Sequence, residues 1–120
     1  MTLIYKICNA AEWDRASAAG QFRGSAVDLA DGYIHFSTAS QLAETAAKHF
    51  AGMPGLVVAA VAVADLGAGL KWEPSRGGDL FPHLYGVLPT ALVRWVRPLP
   101  LGPGGTHLVP EECRGRPAEG

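Results

Sequence analysis

The stretch LVVAAVAV, Leu56 to Val63, is an unbroken apolar run of strand length between Gly55 and Asp65. With no polar residue at alternate positions it has no solvent face, so it is expected as a central strand covered on both sides. Whatever else the chain forms must supply two layers around it. Ahead of it, Leu3–Cys8 (LIYKIC) and Tyr33–Ser37 are rich in β-branched and aromatic residues and are expected as strands. Behind it come only short apolar segments, with no room for the helical crossovers of a regular parallel sheet. The fold class that follows is α+β: a single domain with a curved, mixed or antiparallel, split sheet and two or three helices.

Two helix starts are legible. Asn9 stands three residues before Glu12, the spacing of a reciprocal N-terminal cap, and predicts a helix over Ala10–Ala19 ended by Gly20, with Trp13 packed on the sheet. Thr38 to Gln41 repeats the signal and predicts a helix from Ser40 to Phe50. Its apolar side carries Leu42, Ala43, Ala46, Ala47 and Phe50, and its outer side Glu44, Lys48 and His49. Between the two, Phe22–Gly32 is expected as a loop with room for one helical turn. After the central strand, Asp65–Gly69 reads as a turn, Leu70–Glu73 as a short strand and Pro74–Asp79 as a loop. Phe81–Gly86 then leads into Val87–Leu88, and Leu92–Arg97 alternates apolar and charged residues like an edge strand. The domain is placed at residues 1–98. Residues 99–120 are expected as a Pro/Gly-rich tail, loosely held from Leu101 onward, with His107 and Cys113 inside it.

Composition narrows the function classes. Ten Lys and Arg against eleven Asp and Glu leave a net charge of −1 and no basic stripe, which disfavours nucleic acid as partner. A small nucleotide needs only a few local donors. The apolar run in the first residues is too short for a signal peptide and no segment is long enough to span a membrane, so a cytoplasmic protein is expected. Cys8 and Cys113 make neither a zinc spacing nor an expected disulfide.

The stretch DGYIHFSTASQ carries the first candidate, His35. Strand alternation puts Tyr33, His35 and Ser37 on one face, opposite Ile34 and Phe36. An imidazole and two hydroxyls in a row suit a sugar or a phosphate, and the helix that opens at Thr38 adds backbone N–H groups. A structural reading stands beside this one: His35 as an internally satisfied core residue and Thr38 as a cap. The second cluster, KWEPSRGGDLFPHLYG, gathers Glu73, Arg76, Asp79, His83 and Tyr85 around two glycines. Lys71, Arg76 and Asp79 are expected as solvated surface, whereas His83 and Tyr85 share a face and flank apolar residues. If that face meets His35, two imidazoles, a phenol and Glu73 converge in an acid/base or ribose-binding constellation. His35, His49, His83 and Glu73 lack metal-ligand spacing, so no metal is expected. Neither Ser37 nor Cys8 sits in a nucleophile motif.

Together YKI, Trp13, Gly24-Ser25, DGYIHFSTASQ, TAAKHF, the Lys71–Gly86 motif and the closing Trp95 strand resemble the DUF952 family of small bacterial and plant proteins, over Leu3 to Pro98. The resemblance implies a fold similar to ADP-ribosyltransferase catalytic domains, which grip NAD in a cleft. His35-Phe36-Ser37 is similar to the His-x-Ser strand of that larger group, which binds the nicotinamide-side ribose. The tyrosine of the next core strand and the glutamate of the last strand have no counterpart in LVVAAVAV and LVRWVR. The resemblance implies His35 and Ser37 as ligand-binding residues; the residue patterns themselves add Thr38 and Tyr85 as ligand-binding and Glu73 and His83 as catalytic candidates. NAD would be the substrate, or ADP-ribose or a ribose phosphate the ligand, and any reaction would be ADP-ribosyl or phosphate transfer or NAD glycohydrolysis. A non-catalytic ligand-binding or interaction module is the alternative.

Overall fold

A computed structural model describes residues 1–113. Its elements run β1 (Leu3–Asn9), α1 (Ala10–Ala19), β2 (Gln21–Phe22), α2 (Ala26–Asp31), β3 (Ile34–His35) and α3 (Ala39–His49). They continue with β4 (Leu56–Ala62), β5 (Leu70–Pro74), β6 (Leu80–Leu84), β7 (Leu88–Pro89) and β8 (Val93–Leu99). The class is α+β with three helices, and every strand pairing among the described residues is antiparallel.

LVVAAVAV supplies the central strand. β4 lies between β1 and β8, and its side chains divide between two cores. Ala59 and Val61 join Ile4, Cys8, Trp13, Ala16, Phe22 and Leu88 on one side. Leu56, Val58 and Ala60 join Tyr5, Ile7, Leu42, Ala46, Leu99 and Cys113 on the other. A strand with a polar face could not serve both layers. Two smaller ladders, β2–β7 and β3–β6–β5, complete the sheet structure. The last of these is stitched to β1 through Tyr5 and Ser37, which exchange backbone hydrogen bonds of 2.8 and 2.9 Å. That bridge brings β3, the strand of His35, alongside the central sheet.

Both helices start behind the expected caps, but the reciprocal half at Asn9 does not form, since Glu12 Oε1 accepts instead from the Ser25 hydroxyl at 3.1 Å. The Asn9 side chain accepts from the Ala11 N–H at 2.8 Å, and Gly20 closes α1 with a left-handed φ of 84°. At α3 the Thr38 N–H donates to Gln41 Oε1 at 3.0 Å, while Gln41 Nε2 donates to the Leu80 carbonyl at 2.8 Å. Only Leu42 and Ala46 are fully buried on α3. Ala43 and Ala47, expected on the inner side, are exposed. The contact stripe follows i, i+4 and is narrower than the apolar residues allow.

Phe22–Gly32, expected as a loop with room for one helical turn, holds that turn as the six-residue α2 and begins at the end of β2. One expectation is corrected: residues 101–113 are not loosely held. β8 runs on through Pro98 to Leu99, which is fully buried, and Leu101 bridges His107. The His107 Nε2–H donates to the Met53 carbonyl at 2.9 Å, and Cys113 inserts beneath α3 in the second core. Pro/Gly content reads as disorder only when the intervening apolar residues have nowhere to go, and here the second face of β4 receives them. The expectation for residues 114–120 lies outside the described residues. Among the described residues no helix is long and apolar enough to cross a membrane.

Since Leu99 fills the core beneath α3, Leu99→Ala is expected to cost about 2–5 kcal/mol of unfolding free energy. Urea denaturation checks this, and a loss under about 0.5 kcal/mol, the level of an ordinary surface change, would show the segment to be dispensable.

Candidate functional site

The site is organised by two residues that the sequence reading passed over, Lys6 and Asp28. Both are buried. In β1 the alternation Ile4, Lys6, Cys8 puts the lysine on the side of the first core, and α2 brings Asp28 to it with Nζ and Oδ2 2.7 Å apart. Asp28 does more than pair. Oδ2 accepts the Ser25 N–H at 2.8 Å, capping its own helix, and Oδ1 accepts the His35 backbone N–H at 3.1 Å. Oδ1 also lies 2.6 Å from His35 Nδ1, which donates to it because a carboxylate only accepts. Gly24 permits this packing. Its φ is 121°, and a Cβ there would come within 2.8 Å of the Asp28 Cβ.

Burial alone would raise the Asp28 carboxyl. The His35 hydrogen bond, the charge and hydrogen bond of Lys6 and the Ser25 N–H outweigh it and hold the group at about 2, below its ordinary 3.8. The group is therefore ionised at neutral pH.

His35 completes a chain of contacts. Its Nε2 lies 3.0 Å from Asp31 Oδ2, with the two side chains 32% and 44% exposed. Across the β3–β6 ladder His35 is the direct register partner of His83, and their rings meet edge to face at 5.5 Å. His83 has a carboxylate of its own: Nδ1 stands 2.8 Å from Glu73 Oε1, which also accepts from the Tyr85 hydroxyl at 2.8 Å. These two hydrogen bonds, His83 first, hold the Glu73 carboxyl below its usual range, and the bond to Glu73 pushes the Tyr85 phenol up. Tyr33 stacks on His83 at 4.1 Å and tilts against His35 at 4.6 Å. Burial, then the nearby carboxylates of Asp31, Glu73 and Asp28, raise its phenol.

These groups border a cleft of about 440 Å3, lined among others by Asp31, Tyr33, His35, Ser37, Phe81 and His83. The expected convergence of two imidazoles, a phenol and Glu73 thus exists, with Glu73 and Tyr85 standing behind His83 rather than in the lining. Ser37 lines the cleft, but its hydroxyl is bonded to Thr45 at 2.9 Å. Thr38 lies outside the lining and caps α3, its hydroxyl 3.2 Å from that of Ser40. His49, exposed as expected of the outer face of α3, also borders the cleft with Thr45 and Phe50. No group of three or more His, Cys, Asp or Glu side chains suited to a metal occurs among the described residues. Cys8 and Cys113 are free, buried thiols, pushed up to about 12 chiefly by burial, the opposite of the lowered value that activates a thiol.

A family model described as "Protein of unknown function (DUF952)" matches residues 7–96. The chain belongs to the DUF952 family. Two solved structures of protein CC0527 from Caulobacter crescentus share its fold. The crystal structure is 52% identical with a TM-score of 0.90, covering 93% of this chain and 98% of that one. The solution NMR structure is 56% identical with a TM-score of 0.79, covering 88% and 90%. No curated protein matches the chain. The DUF952 likeness thus shows the fold and the family.

Two missed residues had signals. Ser25 precedes Asp28 by three, the spacing of a capping box with Asp as its acid, and Lys6 is the only charge in LIYKIC. A lone charge in an interior strand calls for a buried counter-ion.

Because the folded-state value of Asp28 lies below the unfolded one, its contribution is fully present above about pH 4 and fades as pH falls toward 2. The shift from 3.8 to about 2 corresponds to roughly 2–3 kcal/mol. Asp28→Asn is expected to lower stability at pH 7 and to flatten the acid limb of the stability curve between pH 4 and 2. An acid limb as steep as the native one would show that Asp28 does not titrate with folding.

Proposed function

We propose that the cleft binds a ribose-type ligand bearing phosphate, and that its two carboxylate-oriented histidines supply acid/base capability. The observation that carries this reading is the pairing of Asp28–His35 with Glu73–His83 in direct register at the wall of one cleft. In each pair the carboxylate engages Nδ1, which leaves Nε2 as the working nitrogen, the arrangement by which a histidine is oriented for proton transfer. Tyr33 between the rings supplies a flat apolar surface for a sugar. A volume of about 440 Å3 falls in the lower half of the range for small-molecule sites, which suits a ribose phosphate or one half of a dinucleotide.

NAD, ADP-ribose and simple ribose phosphates are the ligands of this kind, and the His35-Phe36-Ser37 strand supports the nucleotides among them. The chemistry such a site favours is cleavage of the bond from ribose C1′ to the base nitrogen. The electron pair leaves with the base, and a water or acceptor hydroxyl adds at C1′, giving its proton to His83 Nε2. Asp31, and Glu73 behind His83, contribute negative potential toward the cationic sugar. A second reading, binding without turnover, has its own support: His35 Nε2 already faces Asp31, so the ring is satisfied at rest.

Calorimetric titration with NAD, ADP-ribose and ribose 5-phosphate tests the reading. At least one is expected to bind, and His35→Ala to weaken that ligand by about 10- to 100-fold, the effect of losing a hydrogen bond to a charged group. Turnover of the bound ligand that disappears in both His35→Ala and Glu73→Gln supports an enzyme, and binding without turnover supports the module. Folded protein that binds none of the three ligands overturns both.

A further inference from the structure

The two carboxylates on His35 are held very differently. Asp28 is buried and fixed by four contacts from three other residues. Asp31 is 44% exposed, sits at the last position of α2 and borders the cleft. His35 is its single ion-pair partner among the described residues. An acid at the C-terminus of a helix gains nothing from the helix dipole, and a half-exposed pair of this kind contributes little to folding. The contact is cheap to exchange, and it occupies the one nitrogen of His35 that Asp28 leaves free.

The charges say what can take its place. Lys6 and Asp28 balance each other inside the protein. A ring with N–H at both nitrogens balances Asp31, so the group that replaces Asp31 must bring both an acceptor oxygen and a negative charge. A sugar hydroxyl brings the first without the second. A phosphate oxygen brings both, and makes a shorter, stronger hydrogen bond to a charged donor.

We propose that Asp31 stands in for the ligand: its carboxylate fills the seat of a phosphate oxygen on His35 Nε2, and the ligand enters by displacing it. Asp31 is then a competitor of the ligand, and the ring nitrogen it covers takes a phosphate monoester in preference to the unphosphorylated sugar. This rests on the ribose-phosphate reading above and names the ligand group that His35 contacts. Asp28 keeps the ring in place while the exchange occurs at the other nitrogen.

The test is an NMR titration of the native protein, Asp31→Asn and Asp31→Ala with ribose 5-phosphate, ribose and inorganic phosphate, following the histidine ring protons. Native protein is expected to bind ribose 5-phosphate with movement of the His35 signals, and ribose far more weakly. Both variants should bind ribose 5-phosphate about two- to fivefold tighter, as befits removal of a half-exposed competitor, with ribose unchanged. If inorganic phosphate gains as much as the sugar phosphate, the seat reads phosphate alone. A gain for the sugar phosphate only shows that the ribose is read as well. Asp79→Asn, an exposed acid beyond the cleft lining, should leave the affinity unchanged, and an equal gain there would reduce the effect to bulk charge and overturn the proposal. Unchanged or weaker binding in the Asp31 variants, with native binding intact, overturns it and leaves the ribose-phosphate reading standing. Native protein that binds neither phosphate overturns both.

Discussion

The Asp28 carboxylate accepts from Ser25 in its own helix and from the backbone and ring of His35 in β3, and it pairs with Lys6 in β1. Three elements are thereby fixed to one point. A buried ion pair is a poor source of stability when compared with packed hydrocarbon, because desolvation of the two charges offsets most of their attraction. What it supplies is geometry. With every lone-pair direction engaged, the carboxylate has one place to sit, and the His35 ring takes its orientation from it. Removing Lys6 alone would strand a charge in the first core, so the pair constrains the site and the fold together.

The two cores show why such a point is needed. α1 and β2 pack on one face of β4, and α3 with the C-terminal segment packs on the other. Both layers are apolar; β3 enters the first through Ile34, whereas the buried residue of α2 is Asp28 itself. The second ladder, β3–β6–β5, meets the central sheet at the single bridge between Tyr5 and Ser37. The cleft opens beside that junction, where regular pairing stops and polar side chains replace hydrocarbon. Sites are commonly placed at such seams, since a continuous ladder leaves no room for a ligand.

Much of the fold was legible because it depends on local patterns. The apolar run at Leu56–Val63, the caps at Asn9 and Thr38 and the alternation in β8 each point to one answer. The C-terminal segment misled because Leu99 and Cys113 lie among prolines and glycines, and their burial depends on the distant face of β4 rather than on neighbours in sequence. For the site, strand alternation gave the shared face of Tyr33 and His35, and i, i+2 spacing gave that of His83 and Tyr85. That the two faces meet is a matter of register between β3 and β6, which spacing within either segment does not contain. Lys6 and Asp28 went unread because their meaning lies in each other, 22 residues apart in the chain. Thr38 was the reverse case, a residue whose local role as a cap is sufficient and which the cleft does not use.

The claim on which the rest turns is that Asp28 orients His35 through Nδ1. A long-range proton–nitrogen NMR spectrum of the histidine rings, recorded on the native protein and on Asp28→Asn, addresses it directly. The account predicts a protonated, exchange-protected Nδ1 on His35 whose signal moves or is lost in the variant, while the ring of His83, held by Glu73, keeps its own. A His35 ring with a bare Nδ1 in the native protein, or one indifferent to the loss of the Asp28 charge, would contradict it.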